Sequence, residues 1–214
     1  MTGWVVMLWL AVAISVVFVP PYLTLNREAF FGEQRAVYNA HTFAIVAHVS
    51  GAVVAHVSGA VVALLLGPFQ LLAALRRLPR RSIHRWIGRA YLGGVAVSGV
   101  FGFYMAWIAF AGPVAQIGFM ALSIAWLYTA WRAYRAIRSR QVDTHRRWMI
   151  RNYALTFAAV TLRGWVGVSI ATGLDFEASY RVIAWIAWVP NLLIVEWFVR
   201  QQTAGAPRPR PEPV

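Results

Sequence analysis

Residues 41–66 read HTFAIVAHVSGAVVAHVSGAVVALLL, a run that holds no Asp, Glu, Lys or Arg. About 20 consecutive apolar residues are enough for a helix to cross the hydrocarbon core of a bilayer. Inside lipid every backbone N–H and C=O must find its partner within its own segment, so a run of this length is a helix and not a strand. Working outward, comparable runs fall at Trp4–Pro20, Ile87–Ala111, Val114–Tyr134, Trp148–Thr172 and Val182–Phe198. The sequence therefore predicts an all-α integral membrane bundle of about six transmembrane helices. Composition agrees: 60% of the 214 residues are hydrophobic and 13% charged, with a mean hydropathy of +0.58, too little polar surface to cover a soluble globule. The first run lacks the basic n-region and small-residue cleavage site of a signal peptide, so it is expected to stay as an anchor.

The net charge of +13 comes from twenty basic residues, all arginine. They are clumped between apolar runs and not spread over one face, which excludes nucleic acid as the partner and makes the lipid bilayer the partner instead. Short cytoplasmic loops retain positive charge. The connector from the second run to the third carries Arg76, Arg77, Arg80, Arg81, Arg85 and Arg89, and that from the fourth to the fifth carries Arg132, Arg135, Arg138, Arg140, Arg146, Arg147 and Arg151. Both are expected inside. The alternate connectors hold Arg27, Glu28, Glu33 and Arg35, then the uncharged Ala111–Gln116, then Asp175, Glu177 and Arg181, and belong outside. Six spans then place both termini in the cytoplasm. Residues 1–200 form one transmembrane domain, and the Pro- and Arg-rich residues 201–214 form a disordered cytoplasmic tail.

An octapeptide, Ala-His-Val-Ser-Gly-Ala-Val-Val, stands at Ala47–Val54 and again at Ala55–Val62. Eight residues advance a helix by about 12 Å and rotate it by about 80°, so His48 and His56 cannot occupy equivalent positions. The repeat reads as a local duplication in which one histidine is a passenger. Gly51, Ala55 and Gly59 form a small-x-x-x-small stripe that lets another helix approach, a face for homo- or hetero-oligomer contact as well as for packing within the bundle.

From Gly67-Pro68-Phe69-Gln70, through His84-Arg85-Trp86-Ile87-Gly88-Arg89-Ala90-Tyr91 and His145-Arg146-Arg147-Trp148-Met149-Ile150-Arg151, to Thr161-Leu162-Arg163, Trp188-Val189-Pro190-Asn191 and Glu196, the chain resembles a group of bacterial membrane proteins named domain of unknown function 2306. That resemblance implies a multi-pass protein of the bacterial cytoplasmic membrane and supplies no activity; its pattern has one histidine in the second helix. A weaker likeness is to cytochrome b561-type bis-histidine haem proteins, whose two haems take ligands from four helices. Here Val114–Tyr134 has no histidine, so one haem is the most that this likeness allows.

His84 and His145 open helices that start on the same side, so they lie at one depth, as axial ligands of a single haem b would, with Arg85, Arg89, Arg146 or Arg147 to receive propionates. The bland alternative is a pair of interfacial histidines beside arginine clusters, binding lipid phosphate or capping a helix. By the rise of 1.5 Å per residue, His48 lies about 10 Å and His56 about 22 Å from the outer face. A histidine inside lipid is a candidate ligand, or else a neutral imidazole hydrogen-bonded across the bundle. Arg163 stays charged about 13 Å from Thr172 and needs a partner inside: a backbone carbonyl, an acid descending from Asp175 or Glu177, or an anionic ligand such as a haem propionate, a quinone oxygen or a lipid head group. Glu196 is expected to meet Arg151 or Arg200 instead. His145, Asn152, Thr156 and Arg163 share one helix face, a polar stripe that bounds a cofactor or a solute path, or glues helices together.

No motif specifies a reaction. The chain has no cysteine, no phosphate-cradling glycine loop, no His-Glu-x-x-His, no Gly-x-Ser-x-Gly and no pair of intramembrane carboxylates. Gly93, Gly94, Gly99 and Gly102 read as close helix packing. Three functions stay open: a one-haem b-type electron-transfer protein with a quinone or redox partner, its ligands drawn from His84, His145, His56 and His48 and its site completed by Arg163 and Asn152; a non-enzymatic small-solute or lipid transporter or scaffold; and an enzyme acting on a lipid or quinone with His56 or His145 as acid–base group.

Overall fold

The computed structural model describes residues 2–18, 20, 43–71 and 81–204, with no account of the side chains of residues 43–50. The arginine cluster Arg76, Arg77 and Arg80, the first external connector, and residues 205–214 of the tail lie outside the described residues, as does the His48 side chain. Among the described residues there are helices and no strand: α1 Thr2–Phe18, α2 Phe43–Leu71, α3 Arg81–Trp107, α4 Pro113–Arg138, α5 Val142–Thr156, α6 Ala158–Thr172, α7 Phe176–Ile186 and α8 Val189–Ala204.

Five stretches are long and apolar enough to cross a membrane: Gly51–Gln70, Ser82–Trp107, Pro113–Arg138, Val142–Thr172 and Phe176–Gln202. Two of them each join a pair of helices. Phe157, between α5 and α6, keeps helical angles and donates its N–H to Tyr153 O at 2.8 Å, so the fifth expected span runs on through a one-residue irregularity. Ala187 and Trp188 separate α7 from α8 two residues ahead of Pro190, whose ring cannot continue the ladder of a preceding turn. The apolar stretch of α1, Val5–Val17, is shorter than the other five, and it is held by Ala11 packing on Leu64 and Val160.

Local chemistry fixes the ends. Gly112 adopts φ 76° ahead of Pro113, which sits in the first turn of α4, where its missing N–H is no loss. Gly173 takes the left-handed φ of 64° that ends α6, with Leu174 N–H returning to Ser169 O at 3.3 Å. Asp175 caps α7 by accepting the Ala178 N–H at 2.7 Å.

The long spans from α2 to α5 pack antiparallel in sequence order. On α2 and α3, Gly59 and Gly94 face each other so closely that a Cβ on Gly59 would lie 2.6 Å from Gly94 O, backbone on backbone. On α3 and α4, a Cβ on Gly99 would meet Leu127 at 2.6 Å. Gly93 and Gly51, by contrast, have open space where a Cβ would stand, so the expected packing roles belong to Gly59, Gly94, Gly99 and Gly102. The core draws on Ala63, Tyr91, Val95, Trp126, Met149, Tyr153, Leu155 and Trp188. A polar knot crosses it: the fully buried Asn152 accepts from Tyr91 Oη at 2.7 Å and donates to Trp126 O and Thr129 Oγ1, both at 2.8 Å. Trp126 Nε1 donates to Thr156 Oγ1 at 2.9 Å.

Candidate functional site, an intramembrane cavity

The arginine-rich ends of α3, α4 and α5 lie together at one end of the bundle. Towards the other end, α2, α3, α4 and α6 diverge around a cavity of about 280 Å³, to which α1, α5 and α7 also contribute. Its walls are mostly aliphatic and aromatic. The polar groups among its lining residues are few: Ser15, His56, Ser123, Trp126, Thr156, Arg163 and Tyr180, none of them acidic.

His56 sits on α2 in the second copy of the octapeptide. Its Nδ1 lies 2.8 Å from the Ser98 carbonyl, an acceptor, so Nδ1 carries the hydrogen, and Ser98 Oγ stands 3.0 Å away. Nε2 is then the ring nitrogen with a lone pair for an occupant. Gly102 makes this placement fit: a Cβ there would lie 2.7 Å from Nδ1 and 2.9 Å from Cε1 of the imidazole. Ser98 is wholly buried one turn away on α3.

Arg163 reaches the same cavity from α6. Its Nη1 donates to Ala159 O at 2.9 Å, so the guanidinium turns back one helical turn towards the middle of the bundle and not outward to Thr172. A backbone carbonyl is thus among its partners. The acids considered for it are engaged elsewhere: Asp175 caps α7, and Glu177 pairs with Arg181. Glu196 holds Arg151 at 2.7 Å and Arg200 at 2.9 Å, meeting both expected partners.

At the end where α3 turns into α4, Phe110, Phe119 and Tyr180 line the cavity, and Phe176 stacks behind them. Tyr180 lies 5.6 Å from both Phe119 and Phe176 and 6.0 Å from Phe110. The Arg181 guanidinium below them donates to Ala111 O at 3.0 Å and ties α7 to that turn.

The other candidates fall elsewhere. His145 is fixed on α4 through Nδ1 and Ala133 O, 2.8 Å apart. His84 stands near Gln70 of α2, whose Nε2 donates to the His84 carbonyl at 3.2 Å. Each histidine precedes by seven residues a member of the hydrogen-bonded pair Tyr91 and Asn152, so the two do share a depth. Asn152 directs its whole amide into the helix-binding knot and does not line the cavity, although Thr156 does. Among the described residues no cluster of three or more His, Cys, Asp or Glu side chains is arranged to hold a metal ion. Sequence reasoning did not single out Ser98, Ser123 or Tyr180 for this site; the only signal was a pair of serines in otherwise apolar runs.

Residues 53–199 match the model of a family described as predicted membrane protein (DUF2306), and the chain belongs to that family. The match begins after His48 and takes in His56, the histidine that reaches the cavity. Neither the curated proteins nor the solved structures contain a match.

Proposed function

We propose that this protein binds a small amphiphile in the cavity between α2, α3, α4 and α6, and acts in the bacterial cytoplasmic membrane as a non-enzymatic carrier or binding component. The occupant has an apolar body and one oxygen-bearing end, a carboxylate or a quinone-type carbonyl. One observation carries this reading: an imidazole with its Nδ1 already engaged and a guanidinium turned inward line the same, mostly apolar, cavity. Ligand sites are of this kind, with apolar walls and a few convergent polar groups. Guanidinium N–H groups call for acceptors, and a charge-assisted hydrogen bond contributes about 1.5–3 kcal/mol where water is excluded.

Native mass spectrometry of protein extracted in mild detergent tests it. The wild type is expected to carry an adduct of small-molecule mass. Arg163→Gln, and independently Leu162→Trp, which fills the cavity, should cut its occupancy about tenfold. A bare wild type, or an adduct that survives both changes, contradicts the proposal.

A second reading, a one-haem electron-transfer protein with a quinone or redox partner, rests on His84 and His145. The bond from His145 Nδ1 to Ala133 O leaves Nε2 for iron and orients the ring, the arrangement usual for ligating histidines. Haem would supply one-electron chemistry. A Soret band lost on His145→Ala supports this reading; a colourless preparation from haem-replete cells removes it.

A further inference from the structure

We infer that the arginine-rich end of α4 binds the phosphate of an anionic phospholipid, with Arg132 as the principal ligand. This site lies away from the cavity and does not depend on what the cavity holds.

Arg132 is held in place before any lipid arrives. Its guanidinium lies 4.7 Å from the Trp148 ring centroid and 5.7 Å from that of Tyr128. Its Nη1 donates to Tyr128 Oη at 2.7 Å. Arg135, one turn on, lies over Trp131 at 5.6 Å. Stacking fixes the side-chain rotamers, so binding an anion costs little further ordering entropy.

These two arginines differ in their partners from Arg151, Arg181 and Arg200, each of which meets a carboxylate. Arg132 and Arg135 have none within ion-pair distance among the described residues, which leaves their charge available to an anion. Two guanidiniums three positions apart on one helix face can share a single phosphate.

The surface below them identifies the source of that phosphate. Ile117, Ile124, Tyr128 and Trp131 recur at intervals of seven, four and three residues, which keeps them on one face of α4, and they are 53%, 59%, 45% and 52% exposed. This apolar stripe runs along the membrane-spanning length of α4 and ends at Arg132 and Arg135. An acyl chain lying on the stripe brings its headgroup to the arginines; free phosphate gains nothing from the stripe.

Thermal unfolding of the full chain in detergent distinguishes these sources. Phosphatidylglycerol is expected to raise Tm by roughly 5 °C, while phosphatidylcholine and inorganic phosphate leave it unchanged. Arg132→Gln should lose at least half of the phosphatidylglycerol shift, and so should Arg135→Gln, which keeps the Trp148 stack intact if the first variant folds poorly. Arg181→Gln, at the opposite end, should keep the whole shift. An equal shift with phosphatidylcholine or inorganic phosphate, or a full shift in both arginine variants, overturns the inference.

Discussion

Arg163 and His56 show how a polar side chain is tolerated deep in an apolar bundle. Each is tied to a backbone carbonyl, Ala159 O for the guanidinium and Ser98 O for the imidazole. The fit around His56 depends on Gly102. A side chain at that position would meet the imidazole ring, so Gly102→Val should push His56 out of reach of Ser98 and lower stability by about 1–3 kcal/mol, measured by thermal unfolding in detergent. Unchanged stability together with unchanged occupancy of the cavity would show that His56 does not sit where Gly102 admits it. Some of this was legible in the sequence. Glu196 was read against Arg151 from matching depth and against Arg200 from its place one turn on, and Arg163 was read as needing an internal partner, because a rise of 1.5 Å per residue turns residue number into depth. The Ser98 contact was not, since which faces of two helices meet is decided by packing between them, and no single-helix periodicity encodes it.

At the scale of the element, α2 raises the question of its length. It has 29 residues, well beyond the about 20 that a span needs, and the octapeptide duplication accounts for eight of them. The second copy is packed: Gly59 lies on Gly94 and His56 on Ser98. Removing either copy yields the same sequence. In that chain Phe43, Ala44, Ile45 and Val46 take over the positions of Gly51, Ala52, Val53 and Val54. The buried Ala52 is replaced by alanine and the buried Val53 by isoleucine, while phenylalanine falls at the exposed position of Gly51. The shortened protein should therefore fold, with a Tm within about 4 °C of the wild type and the His56 site retained. Loss of folding on this deletion would mean that the first copy is structural. The duplication was plain in the sequence. Which copy mattered was not, because the two are identical and only their neighbours differ. The break between α7 and α8 has a local cause in Pro190, but the bonds that accommodate it, from Thr161 Oγ1 and Asn191 Nδ2 to Ala187 O, required the partner helix to be in view.

For the molecule as a whole, the division of labour runs along the bundle axis. The arginine-rich end is stacked with aromatic rings and carries the headgroup site; the middle is locked by the Asn152 knot; the opposite half opens into the cavity. The fold class was readable from apolar run lengths alone, since lipid admits few alternatives to a helix. The cavity was not, because a void is a property of several helices failing to meet. The absence of native cysteine allows one reporter to be placed inside it: Ser123, which lines the cavity within the α4 span. The most direct measurement is the rate at which a membrane-permeant maleimide modifies Ser123→Cys, with and without decanoate as an acidic amphiphile. Decanoate should slow modification about tenfold, and the added change Arg163→Gln should abolish that protection. Equal rates with and without decanoate, or protection that persists without Arg163, would contradict a carboxylate-binding site in this cavity.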